Sequence, residues 1–328
     1  MDMHDLIDGF GKQLHSAVEI AKTLDFTPSK PIQNVLISGL GGSGIGGNIA
    51  AEIAQLETKF PIQVSKTYFI PGYVNEHTLV IISSYSGNTE ETFHALELAH
   101  KAQAQIICIT SGGKIADFAR KHNIKLIEIP AGFPPRACLG YSLVQQLNIL
   151  FKIGCLENDP LPKINDAANN IIANRSSIMQ QGRNIAAFLY NKLPILYSTT
   201  YNEGIAIRWR QQINENSKML CWHHVVPEMN HNELVGWRSN DESLAVIFLR
   251  TNADYYRNNT RIELNKAEIQ KHTPNVLDVY ASGDDAIDQT INLVHLGDWV
   301  SLYLAQLNEM DPIEINVINH LKGELDKI

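Results

Sequence analysis

Short unbroken apolar runs alternate with longer amphipathic stretches along the chain. Residues 34–38 (NVLIS), 62–65, 78–83 (TLVIIS), 105–110 (QIICIT) and 125–129 (KLIEI) read as strands. Between them, residues 45–56 (IGGNIAAEIAQL), 89–102 and 114–122 carry helical spacing. Continuous apolar strands separated by helices specify a parallel sheet covered on both faces. Residues 137–153 (ACLGYSLVQQLNILFKI) form a helix that is apolar over most of its surface. Such a helix is buried, either in its own fold or against a partner subunit.

The segment 156–166 (LENDPLPKIND) holds two prolines and little apolar content, and marks a boundary between domains 1–155 and 156–328. After a helical stretch at 166–190 the rhythm returns. LPILYST (193–199), MLCWHHV (219–225), SLAVIFLRT (243–251) and residues 276–282 read as strands. Helices are expected at 203–217, at about 256–271 and, long and mostly apolar, at 285–308. The final segment, IEINVINHLKGELDKI, reads as a helix with a charged tail. The order repeats that of the first half, which suggests duplication. The expected fold class is α/β, two doubly wound domains with parallel sheets. The long apolar helices at 137–153 and 285–308 need covering, so a homodimer is expected.

Composition narrows the function classes. Of 328 residues, 44% are hydrophobic and 19% charged, which describes a folded globular chain and excludes disorder. The net charge of −8 argues against a general binder of nucleic acid or acidic membrane. No run approaches the roughly 20 apolar residues of a membrane helix. The start, MDMHDLIDGF, lacks the features of a signal peptide, so a cytoplasmic location is expected. Cys108, Cys138, Cys155 and Cys221 form no CxxC pair and sit in apolar runs, as buried hydrophobes do.

Two loops carry candidate chemistry. GLGGSGIGG (39–47) follows a strand and opens a helix, and Gly39, Gly41 and Gly44 satisfy GxGxxG. A dinucleotide site would also need an acidic residue ending the second strand, where the chain reads Val64-Ser65-Lys66-Thr67. A Walker loop would need a lysine after the glycines, and none follows. Close helix–strand packing is the remaining structural reading. The loop Ser83–Thr92 (SSYSGNTEET) also joins a strand to a helix N-terminus, whose free N–H groups and partial positive charge suit an anion. Ser84, Ser86 and Thr89 add hydroxyls that could wrap a phosphate monoester. Helix capping accounts for one of them, not three.

A strand–SGNTEET–helix loop resembles the sugar isomerase (SIS) domain. Two such domains, with GLGGSGIGG (39–47), PPRACLGY (134–141), NENSK (214–218), EMNHNELVGW (228–237) and INHLK (318–322), resemble the bifunctional phosphoglucose/phosphomannose isomerases of archaea and some bacteria. The resemblance implies an aldose–ketose isomerase of hexose 6-phosphates in carbohydrate metabolism, needing no metal or redox cofactor. It implies Glu215 as the base at C2, on a helical face shared with Arg208, Gln211 and Gln212. It makes His231, reaching in from the neighbouring subunit, and Lys322 the ring-opening residues, and Arg136 the cation beside the enediolate. Gly42, Ser43, Ser84, Ser86 and Thr89 become the substrate-binding residues. A zinc site from His223, His224 and His231 is the rival reading, but adjacent histidines in a strand point to opposite faces. The family often has Asp-Pro-Thr-Pro before the last helix, with a threonine there thought to admit either C2 epimer. Here Asp311-Pro312-Ile313-Glu314-Ile315 offers no hydroxyl, so turnover of both epimers with the glucose route favoured is the expectation. A phosphosugar-binding protein without catalysis and an amino-sugar phosphate isomerase or deaminase are the alternatives. A DNA-reading regulator would need more than the roughly 30 residues before the first strand.

Overall fold

The computed structural model describes residues 2–325 and 327. The first half contains α1 (Met3–Asp8), α2 (Phe10–Lys22), β1 (Asn34–Ser38), α3 (Gly41–Ala54), β2 (Ile62–Ser65) and β3 (Thr78–Ser83). It continues through α4 (Glu90–Lys101), β4 (Gln105–Thr110), α5 (Gly113–Lys121), β5 (Lys125–Glu128) and α6 (Leu139–Lys152). The second contains α7 (Pro160–Ala173), α8 (Arg175–Leu189), β6 (Leu193–Thr199), α9 (Glu203–Ser217) and β7 (Trp222–Val226). It ends with β8 (Leu244–Arg250), α10 (Tyr256–Ile269), β9 (Val276–Tyr280), α11 (Ala286–Leu307) and α12 (Asn316–Leu325).

Both sheets are parallel throughout. The first has the order β2-β1-β3-β4-β5 and the second β7-β6-β8-β9, the same order without a fifth strand. The repeated rhythm of the sequence is therefore a repeated topology. Strand order reverses between β1 and β3, and again between β6 and β8. In open sheets of this order the crevice at the reversal, beyond the carboxyl ends of the strands, is where ligands bind.

One core cluster runs through both halves, built from α2, α3, α6, α7, α8, α9, α11 and the inner faces of both sheets. Smaller clusters back each sheet, under α4 and α5 on one side and α10 on the other. Residues 139–150 of α6 and 287–305 of α11 are buried within the single chain. This corrects one expectation: helices apolar all round are covered here by α2, α3, α7, α8 and α9, so they give no reason for a dimer. The exposed apolar helix is α12. It has no buried residue, and Val317, Ile318, Leu321 and Leu325 stand in solvent along it.

Three further details depart from the sequence pattern. The helix expected from residue 166 starts earlier, at the prolines of the boundary segment: Asp159 accepts a bond from the Leu161 N–H at 2.9 Å and Pro160 takes the first helical position of α7. The glycine run is itself helical, α3 starting at Gly41. The terminal helix expected over 313–328 spans Asn316–Leu325, with Asp326 and Ile328 outside the described residues. All four cysteines are buried and free.

Candidate active site

The first switch point brings together the start of α3 and the loop from β3 to α4. A Cβ on Gly44 would collide with the Gly39 carbonyl, and one on Gly42 would meet the Pro135 carbonyl at 3.0 Å. The glycines thus serve close packing, which sets α3 against the turn Pro135–Ala137 that carries Arg136. Ser43 Oγ accepts a bond from the Tyr85 N–H at 3.2 Å, fastening the start of α3 to the second loop.

That loop presents hydroxyls at a helix N-terminus. Ser84 Oγ and Thr89 Oγ1 lie 2.9 Å apart, and the Gly87 N–H donates to Ser84 Oγ at 3.2 Å. Ser86 is exposed and its Oγ accepts from the Asn88 N–H at 3.2 Å. Thr89 occupies the cap position of α4 without making a cap bond, so capping does not account for its hydroxyl. Gly87 has φ of +68°, the left-handed region where a side chain would be strained, and a Cβ there would also strike the Gly112 carbonyl. The sharp turn this permits folds the hydroxyls back over the end of β3.

Beside the start of α3 lies a cleft of about 280 Å³, lined by Gly41, Gly42, Arg136, Arg208, Gln212 and Glu215 among others. Arg136 is 4% exposed. Its Nε donates to Asn216 Oδ1 at 2.7 Å, its Nη1 to Glu215 Oε1 at 3.0 Å, and its Nη2 to the carbonyls of Pro312 and Ile313. Four of five guanidinium donors are thus engaged among the described residues, and the fifth is on Nη1, the arm that meets Glu215. Burial pulls the Arg136 pKa down, opposed by Glu215.

A second layer holds these groups. Arg208, 2% exposed, forks onto Asp298, with Nη2 at 2.9 and 3.0 Å from its two oxygens. The same Nη2 donates to the Arg136 carbonyl at 2.8 Å. Gln212 Nε2 adds a bond to Asp298 at 2.9 Å. Burial raises the Asp298 pKa, with Arg208 opposing. Lys218 Nζ donates to the carbonyls of Glu215 at 2.7 Å and Asp311 at 3.0 Å, and burial lowers its pKa.

Of the residues singled out in the sequence, Gly42, Arg136 and Glu215 line the cleft, and Ser43 ties it to the Ser84, Ser86 and Thr89 loop, which does not itself line it. His231 and Lys322 do not line it either. His231 is exposed at the end of the turn Glu228–His231 after β7. Lys322 is exposed on α12, one turn beyond Ile318, which reaches the cleft. His223 pairs with Glu203 at 3.4 Å. Among the described residues, the group with metal-ligand spacing is the N-terminal Asp2, His4 and Asp5, not the three histidines. Sequence reasoning missed Asn216, Lys218 and Asp298. NENSK contains the first two; Asp298 was an acid in the middle of an apolar helix, which signals a buried partner.

Comparison with known proteins gives the fold and the family. Residues 30–135 match the profile of the SIS domain, and residues 178–325 that of the bacterial phospho-glucose isomerase C-terminal SIS domain. The chain is 38% identical to a bifunctional phosphoglucose/phosphomannose isomerase of Caldicellulosiruptor bescii, over 99% of both chains. It is 36% identical to the protein of that name from Aquifex aeolicus, again over 99% of both. The C-terminal domain of glucosamine-fructose-6-phosphate aminotransferase from Francisella tularensis shares the fold, with a TM-score of 0.76 at 15% identity over 94% of this chain and 97% of that one.

Proposed function

Because the chain belongs to the bifunctional phosphoglucose/phosphomannose isomerase family, we propose that it interconverts glucose 6-phosphate, and mannose 6-phosphate, with fructose 6-phosphate in the cytoplasm. The observation that carries the reading is the buried Arg136 in contact with Glu215 on a cleft wall. Aldose–ketose exchange is proton traffic through an enediolate, and it needs one base near C1 and C2 and one fixed cation near the oxygens. Glu215 takes the proton from C2 and returns it to C1. The guanidinium of Arg136 carries the charge that develops on oxygen, through the donor on Nη1 that it has to spare. Neither step requires a metal or redox cofactor.

The phosphate sits on the loop of Ser84, Ser86 and Thr89, with Ser43 and Gly42 at the neighbouring helix start. Its position holds the sugar carbons over Glu215. His231 and Lys322 open the ring. Both are exposed in one chain, as expected of groups that a homodimer brings to a shared site, and the bare apolar stripe of α12 supports such an assembly. The two halves, 1–155 and 156–328, then form the cleft together.

The missing threonine falls where Pro312 and Ile313 hold Arg136 by their carbonyls. Tolerance of both C2 epimers therefore depends on backbone rather than on a hydroxyl. Coupled assays starting from fructose 6-phosphate, scoring each aldose separately, test the reading. Both products are expected, glucose 6-phosphate the faster. Absence of both aldoses above background refutes isomerisation, and absence of mannose 6-phosphate alone restricts it to the glucose route.

A further inference from the structure

The second sheet has its own switch point, between β6 and β8. The loops that meet there, Thr199–Asn202 and Thr251–Tyr255, occupy the positions held in the first half by the start of α3 and the Ser84–Thr89 loop. They too form a cradle of donors, but a carboxylate fills it. Asp254 has a side chain only 1% exposed. Its Oδ1 accepts from Thr199 Oγ1 at 2.8 Å, Thr251 Oγ1 at 3.1 Å and Asn202 Nδ2 at 3.2 Å, and its Oδ2 from the Thr251 N–H at 3.0 Å. In the first half the hydroxyls of Ser84, which matches Thr251, and of Thr89 bond each other, with no carboxylate between them.

A second observation points to a larger anion. Arg250 is 4% exposed, and its Nε–H has no hydrogen-bond partner among the described residues. Nε lies 4.0 Å from Asp254 Oδ2, beyond bonding reach. The outer arms of the guanidinium are fixed by Glu263, Asp278 and Asn259, which hold Nε where it is. The carboxylate therefore leaves this buried cationic donor unused, where a tetrahedral oxyanion has further oxygens to offer it. A cavity of about 100 Å³ lined by Thr199, Asn202 and Asp254 lies alongside.

We propose that this cradle is a second oxyanion site, of the phosphate monoester class, kept closed by the chain's own Asp254. A chain with two sheets of one topology thus binds one sugar phosphate. The inference goes beyond the isomerase assignment and borrows from it only that the Ser84–Thr89 loop grips phosphate. The test is Asp254→Ser in the full chain, titrated calorimetrically with inorganic phosphate beside the wild type. Stoichiometry is expected to rise from about one to about two per chain, and phosphate to raise the melting temperature of the variant more than that of the wild type. A folded variant that still binds one phosphate overturns the proposal. No binding by the wild type would instead count against the first loop, so the two failures are distinguishable. If Asp254→Ser does not fold in phosphate-free buffer, refolding with phosphate decides. Recovery shows that the anion replaces the carboxylate; failure in both buffers overturns the proposal.

Discussion

Arg136 Nη1 lies 3.0 Å from Glu215 Oε1, so the proposed cation and the proposed base neutralise each other across the cleft wall. A carboxylate so paired has one oxygen occupied until something else takes the guanidinium donor. A substrate oxygen does both jobs, drawing the charge of Arg136 to itself and freeing Glu215. Glu215→Gln keeps the shape and one acceptor but cannot take a proton. The expected result is a fall in kcat of about 10²–10⁴-fold with little change in KM. Steady-state kinetics check it; unchanged kcat would sink the assignment of the base.

Sharing of the site between subunits has its own signature. Glu215→Gln and His231→Ala should each be inactive, yet mixing them after reversible dissociation should restore activity. A mixed dimer would hold one intact site, so recovery of up to about a quarter of the wild-type rate is expected. Recovery of nothing would place His231 in the site of its own chain.

The Arg208–Asp298 pair is buried on all sides, and removing one partner strands the other charge. Asp298→Ala should therefore cost about 3–5 kcal/mol of stability, read from the urea midpoint. Asp298→Asn, which still accepts from Arg208, should cost less. Its rate should fall nonetheless, because Arg208 also fixes the backbone carbonyl of Arg136.

Glu52 links stability to pH. From α3 in the first half it caps α9 in the second, its two oxygens accepting from the Gly204 N–H at 2.8 and 3.0 Å. Burial pushes its carboxyl from the ordinary value near 4.5 up to about 8. The native state thus keeps a proton that the unfolded chain gives up. Its contribution is fully present below about pH 4.5 and is lost as pH rises to about 8. Glu52→Gln has no proton to lose. The stability of the wild type relative to this variant should drop by about 1.4 kcal/mol per pH unit across that window. Denaturant titrations at several pH values measure it, and a flat difference would refute it.

The parallel sheets were legible because their strands are unbroken apolar runs. β1, β3, β4 and β6 fall on the expected residues, since burial on both faces leaves no polar position to blur their ends. The SSYSGNT loop was legible for a related reason: a glycine among hydroxyls at a strand end has few structural uses. Asp159–Pro160 hid the start of α7 because a helix-start proline and a boundary proline are the same residue until the cap beside it is recognised. The helices α6 and α11 misled in another way. An apolar surface says that something covers it, and only the packing of α2, α3, α7, α8 and α9 says what. Lys322 and His231 stay indistinct in sequence and structure alike, because each stands in solvent in a single chain.

The bonds from Arg136 to the carbonyls of Pro312 and Ile313 tether the tail of the polypeptide to the proposed cation. Because both hydrogens of Nη2 go to those carbonyls, the strap leading to α12 holds the guanidinium with its spare donor on Nη1, the arm that meets Glu215. The placement of that buried side chain is therefore set in part by the stretch of chain that leads into the terminal helix.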